Sequence, residues 1–189
     1  MKTLSYFLLI GGAHAAGFFN DPSFEDWRFP TEVPVAEGSN VIDVSLPASG
    51  FCPQFYTLVV PSGVEIFDLN VLSYGSGTGN AGSFLGLQQG STLSASPADF
   101  FSGNTTDLIN NLLIGSESVG TQGLLQSLTN GQQLQGAPTL NEGSYALWFN
   151  ETDPLFGAQI SIDFVAQAVP EVSTSLLLLT GGLLLLRRR

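Results

Sequence analysis

Ser144–Asn150 (SYALWFN) and Ala158–Ala166 (AQISIDFVA) both read with a period of two. In the first stretch, Tyr145, Leu147 and Phe149 fall on one side, Ala146 and Trp148 on the other. In the second, Ile160, Ile162 and Phe164 are expected to face inward, while Gln159, Ser161 and Asp163 face out. Side chains of an extended chain project to alternate faces, so both stretches are predicted strands. Glu151–Gly157 joins them and carries Pro154 and Gly157, and the pair reads as a hairpin with a long loop.

The same pattern recurs upstream. Val41–Leu46 (VIDVSL) is a predicted strand ended by Pro47–Gly50, and Phe55–Val60 (FYTLVV) a second, ended by Pro61–Gly63. Glu65–Tyr74 (EIFDLNVLSY) is a third, with Phe67, Leu69 and Val71 expected on one face and Asp68 and Asn70 on the other. Ser83–Gln88, Ser91–Ala95 and Asp99–Ser102 are candidate short strands. Phe18, Phe19, Phe24, Trp27 and Phe29 are expected to pack under the first strands. Two stretches break the pattern. Leu108, Ile109, Leu112 and Leu113 sit at helical spacing, although Asn110-Asn111 argues against a helix there. Leu124, Leu125 and Leu128 fit one short helical turn. Many short strands separated by turns predict an all-β fold, an antiparallel β-sandwich or jelly roll. The glycines of Gly75–Gly82 (GSGTGNAG) resemble a dinucleotide fingerprint only in spacing; no helical pattern follows, so the stretch reads as a connection.

Both ends carry a different signature. Met1-Lys2, the apolar Leu4–Ile10 and Ala13-His14-Ala15 have the form of a secretory signal peptide, with a signal peptidase site at Ala13 and Ala15 and cleavage after Ala15. At the other end, Val169-Pro170-Glu171 precedes a leucine-rich run and Arg187, Arg188 and Arg189. Val172–Leu186 would make roughly 22 Å of helix at about 1.5 Å per residue, against a hydrocarbon core of about 30 Å. That suits a short transmembrane helix that acts as a stop, with the arginines on the cytoplasmic side. An ordinary tail anchor is the alternative.

Motif, short apolar run and terminal arginines together resemble the PEP-CTERM sorting signal of Gram-negative bacteria. Val169-Pro170-Glu171 matches the signature tripeptide and Ser173-Thr174 the small polar residues after it. Val172 departs from the second proline usual there. The resemblance covers only about the last twenty residues of this sequence. It implies recognition by an exosortase-type membrane peptidase, a cut near Pro170–Glu171, transient anchoring in the inner membrane, and delivery to the cell surface or extracellular space. It also implies an association with exopolysaccharide and biofilm matrix. The expected organisation is a signal peptide (1–15), an exported β domain (16–168) and a sorting signal (169–189).

Residues 16–170 then hold fifteen of the sixteen acids, and Arg28 is their one basic residue, a net of fourteen negative charges. Such a body repels phosphate, which disfavours nucleic acid as a partner. The sole histidine, His14, and the sole lysine, Lys2, lie in the signal peptide. The body therefore has no His-based general base, no Ser-His-Asp triad, no Schiff-base lysine and no His-ligated zinc. Cys52, the single cysteine, has no internal disulfide partner; it reads as a small buried hydrophobe or as a link between chains.

Three site chemistries remain open. Asn150, Glu151 and Asp153 offer oxygens to a calcium ion, though no EF-hand spacing is present, and no other cofactor is expected. Trp27, Trp148, Tyr56, Tyr74 and Tyr145 could stack on sugars or fill a core. Two carboxylates could hydrolyse a glycosidic bond without histidine, but no recognisable motif pairs two acids. The expectation is a non-catalytic surface or matrix protein; the alternatives are a carbohydrate-binding module and a carboxylate-dependent glycosidase.

Overall fold

The computed structural model describes residues 27–47, 53–76, 82–94, 110–130, 134, 136–151 and 157–170. These residues form eight strands: β1 (Thr31–Pro34), β2 (Gly38–Leu46), β3 (Gln54–Val60), β4 (Val64–Ser76), β5 (Ser83–Gln89), β6 (Asn110–Ile114), β7 (Gly143–Glu151) and β8 (Ala158–Ala168). A 3-10 turn (Ser116–Ser118) and a short helix, α1 (Leu124–Thr129), lie between β6 and β7. The chain is all-β, in two sheets. One has five strands in the order β1-β3-β7-β5-β6; the other has three, β2-β8-β4. All pairs are antiparallel except β1 with β3, which run parallel.

The two most legible strands run through the middle of the two sheets. β7 lies between β3 and β5, and β8 between β2 and β4. They are not a hairpin, which corrects the sequence expectation: β7 and β8 belong to different sheets. The physical reason lies in the length of the connection. Seven residues, Glu151–Gly157, can span up to about 23 Å, more than the ~10 Å between packed sheets, so nothing forces the two strands to pair. Changing sheets is the habit of this chain. β1, β2, β3, β4 and β5 alternate between the sheets, and only β5 and β6 are both consecutive and hydrogen-bonded.

One core lies between the sheets. Tyr56, Leu58, Leu85, Leu87, Leu147 and Phe149 from the larger sheet pack with Ile42, Val44, Leu69, Ile160, Ile162 and Phe164 from the smaller. The Tyr56 and Phe149 rings meet edge to face at 5.8 Å between centroids. The expected inward face of β8 is thus observed, and of the two faces of β7 the one bearing Tyr145, Leu147 and Phe149 lines this core. β4 and β6 are edges of the two sheets, and α1 packs on both, adding Leu124, Leu125 and Leu128 to the core. An amphipathic turn at this place shields apolar residues that two open edges would leave wet. Thr129, the last residue of α1, is buried and donates its hydroxyl proton to the Ala137 carbonyl at 2.6 Å.

Several local expectations change. Phe67 is 41% exposed, because the β4–β8 register shifts between Ile66 and Asp68. A bulge adds a residue and reverses the faces beyond it, so Ile66, Leu69 and Val71 are the buried set. Asn110–Ile114 is an edge strand paired with β5, and the helical spacing around it is not realised over these residues; Leu108 and Ile109 lie outside the described residues. Of the candidate strand Ser91–Ala95, residues 91–94 form no strand, with bends at Ser91, Thr92 and Ser94, and Ala95 lies outside the described residues, as does the candidate strand Asp99–Ser102. Phe29 is 78% exposed and not packed under a strand. Asp163 lies on the face opposite Ile162 and Phe164 but is only 8% exposed, and its Oδ1 accepts the Asn40 amide proton at 2.8 Å.

Candidate functional site

The outer face of the larger sheet carries a second apolar cluster, as β7 requires. A strand with Ala146 and Trp148 on one face and Tyr145, Leu147 and Phe149 on the other must be covered on both sides. Phe55, Phe84, Leu93, Ala146 and Trp148 form this outer cluster, with Trp27 packed against it. Trp148 is fully buried. Its ring stacks on Phe55 at 6.4 Å and meets Phe84 edge-on at 4.8 Å.

Two segments are fastened to this face. After β5 the chain turns back, and Leu93 inserts into the cluster. Thr57 Oγ1 donates to the Ser91 carbonyl at 2.6 Å, Gln88 Nε2 to Ser94 Oγ at 2.6 Å, and the Ser94 amide to Gln88 Oε1 at 2.8 Å. The other segment is the turn before β1, held by Trp27, with the Arg28 guanidinium carbon 6.0 Å from the centre of the Trp27 ring.

Between them lies a cavity of about 330 Å³. It is lined by Arg28, Phe29 and Pro30 from the turn before β1, by Glu32 and Thr57 from β1 and β3, and by Ser91 and Thr92 after β5. Glu32 and Thr57 are direct partners in the β1–β3 register, so the parallel edge strand sets the carboxylate beside the hydroxyl. Among the described residues that line it, the cavity offers one guanidinium, one carboxylate, three hydroxyls and an exposed aromatic ring. Among those residues Glu32 is the single carboxylate.

The residues singled out from sequence fare unevenly. Tyr56, Tyr145 and Trp148 are buried, which overturns sugar stacking at these three positions. Tyr74 is partly buried against the core, its hydroxyl 3.3 Å from Ser83 Oγ, and Trp27 is partly buried against the outer cluster. Asn150 is not a loop residue: it lies within β7 opposite Phe84, buried, with Oδ1 lacking a hydrogen-bond partner. Glu151 closes β7, and Asp153 lies outside the described residues. Among the described residues no three His, Cys, Asp or Glu gather where they could hold a metal ion. The Val169 amide donates to the Gly63 carbonyl at 2.8 Å, and Pro170 is exposed. Ala13, Ala15, Cys52, Glu171 and Arg187–Arg189 lie outside the described residues. Among the described residues no helix is long and apolar enough to cross a membrane.

Phe29 and Glu32 were not selected as site residues from sequence. The available signal was local: the one basic residue of the acidic body, Arg28, stands between Trp27 and Phe29.

No protein-family model matches the chain, and no curated protein does. Among solved structures, it is similar to the crystal structure of Salmonella Typhimurium PliG, a periplasmic lysozyme inhibitor of g-type lysozyme. That likeness covers 74% of this chain and 100% of the other, at 13% identity and a TM-score of 0.31. It is too distant to carry an inference about fold or function.

Proposed function

We propose that the chain is an exported, non-catalytic protein of the cell surface or extracellular matrix, handled as a PEP-CTERM substrate and associated with exopolysaccharide. The observation that carries this reading is the pairing of two address segments around an acidic body. A secretory signal peptide with Ala13 and Ala15 at its cleavage site stands at one end, and Val169-Pro170-Glu171, a leucine run and Arg187–Arg189 stand at the other. Signal peptidase removes the first. The leucine run stops in the inner membrane with its arginines inside, and an exosortase-type peptidase cuts near Pro170–Glu171. The body between them is a two-sheet β-sandwich without histidine or lysine, which leaves few routes to general acid–base or covalent catalysis.

Cell fractionation tests this reading. The full chain should be recovered outside the cytoplasm. A chain ending before Val169 should also be exported but should lose its passage through the membrane fraction. Intact protein in the cytosol in both cases would refute it. A second reading, a carbohydrate-binding module, is favoured by the cavity beside Phe29 and Glu32.

A further inference from the structure

The cavity at the β1 edge of the larger sheet combines features that rarely serve a core. Phe29 is 78% exposed, and Glu32, Ser91 and Thr92 are exposed as well. A large aromatic ring left in water forgoes the free energy its burial would supply. The backbone supporting these side chains is nevertheless fixed: Leu93, Thr57 and Gln88 hold one wall, and Trp27, packed on the buried Phe55–Trp148–Phe84 cluster, anchors the other. Exposed groups on an anchored frame are the arrangement expected of a preorganised site.

We infer that this cavity binds a neutral saccharide unit, with Phe29 stacking on the sugar ring and Glu32, Arg28, Thr92 and Ser91 bonding its hydroxyls. A pyranose has an apolar C–H face and a rim dense in hydroxyl donors and acceptors. The cavity supplies the counterpart of each. The Phe29 ring is a flat apolar face. The Glu32 carboxylate accepts from two adjacent hydroxyls, and the guanidinium is a forked donor. Thr57 gives its proton to the Ser91 carbonyl, so its oxygen is left as an acceptor.

Charge selects against anionic ligands. Glu32 stands in the cavity, and residues 16–170 carry fourteen net negative charges. A polyuronate or a phosphorylated ligand would meet a repulsive field. An aliphatic ligand would leave the Glu32 carboxylate dry and unmatched. The inference deepens the matrix reading and rests on it only for the origin of the polymer, because it names what a matrix protein would hold.

Affinity electrophoresis of the full chain, in a polyoxyethylene detergent, tests it. The gels contain soluble β-glucan, galactomannan or xylan, with polygalacturonate as the anionic counterpart. The expected result is retardation by at least one neutral polymer and none by polygalacturonate. Phe29→Ala and Glu32→Gln should each weaken that retardation by about tenfold, the loss expected when a charge-assisted hydrogen bond or a stacked ring is removed. Both side chains are exposed, and unchanged far-UV circular dichroism would verify that the variants fold. Retardation by no neutral polymer, retardation insensitive to both variants, or a preference for polygalacturonate would overturn the assignment. None of these outcomes depends on where the cell sends the protein, so fractionation can fail while the binding holds, and the reverse.

Discussion

Two buried asparagines set the residue scale. Asn40 is satisfied: its Nδ2 donates to the carbonyls of Ala36, Gly38 and Phe164, and its Oδ1 accepts the Ala36 amide. It ties the crossover from β1 to β2 onto β8. Asn110, 2% exposed at the start of β6, has neither amide atom hydrogen-bonded. An unmatched buried polar group costs about 1–3 kcal/mol, whereas a matched one is costly to remove. Asn110→Leu should therefore raise stability by about 1 kcal/mol, and Asn40→Leu should lower it by about 2–4 kcal/mol. Urea midpoints of the two variants against the parent would show shifts of opposite sign. Tyr145 adds a pH dependence. Its ring is buried and its hydroxyl donates to the Asn141 carbonyl at 2.9 Å. Burial raises its phenol above the ordinary value of 10.0, because the charged form is poorly solvated there. The folded state then holds this proton more tightly than the unfolded state. That contribution is complete below pH 10 and declines as pH rises through the raised value. Tyr145→Phe should show a shallower loss of stability in alkali than the parent.

At the scale of elements, β4 shows how a strand can be read correctly while its faces are not. Period-two alternation from Glu65 to Tyr74 identifies the strand, but the register shift around Phe67 reverses the pattern. A bulge depends on the partner strand β8, so the sequence of β4 alone does not display it. Phe67→Ser should cost under about 1 kcal/mol, and Leu69→Ala about 2–5 kcal/mol. Equal costs in thermal or urea unfolding would contradict the bulged register. β7 and β8 were legible as strands because alternation is a local property. Their separation into two sheets was not, since pairing is decided by neighbours distant in sequence. Residues 110–114 fail for the opposite reason. Leu112 and Leu113 fit a helical stripe as well as a strand, and β5 alongside decides between them. The two faces of β7 were read from Ala146 and Trp148, yet the need for a second cluster to cover them, and hence the walls of the cavity, emerges only once Leu93 and Trp27 are placed.

At the scale of the whole molecule, a sandwich that changes sheets at nearly every turn holds its outer face with side chains from connecting segments. Trp148→Ala removes the centre of that face and should destabilise by about 3–5 kcal/mol. It should also loosen the segment bearing Ser91 and Thr92, which amide hydrogen exchange of residues 91–94 would register as faster exchange than in the parent. Where the chain is sent matters most, and the intact mass of the protein recovered from outside the cytoplasm reports both ends at once. The mass expected is that of a polypeptide beginning at Ala16 and ending near Pro170. A protein retained in the cytoplasm with Met1 and Arg189 both present would contradict the account.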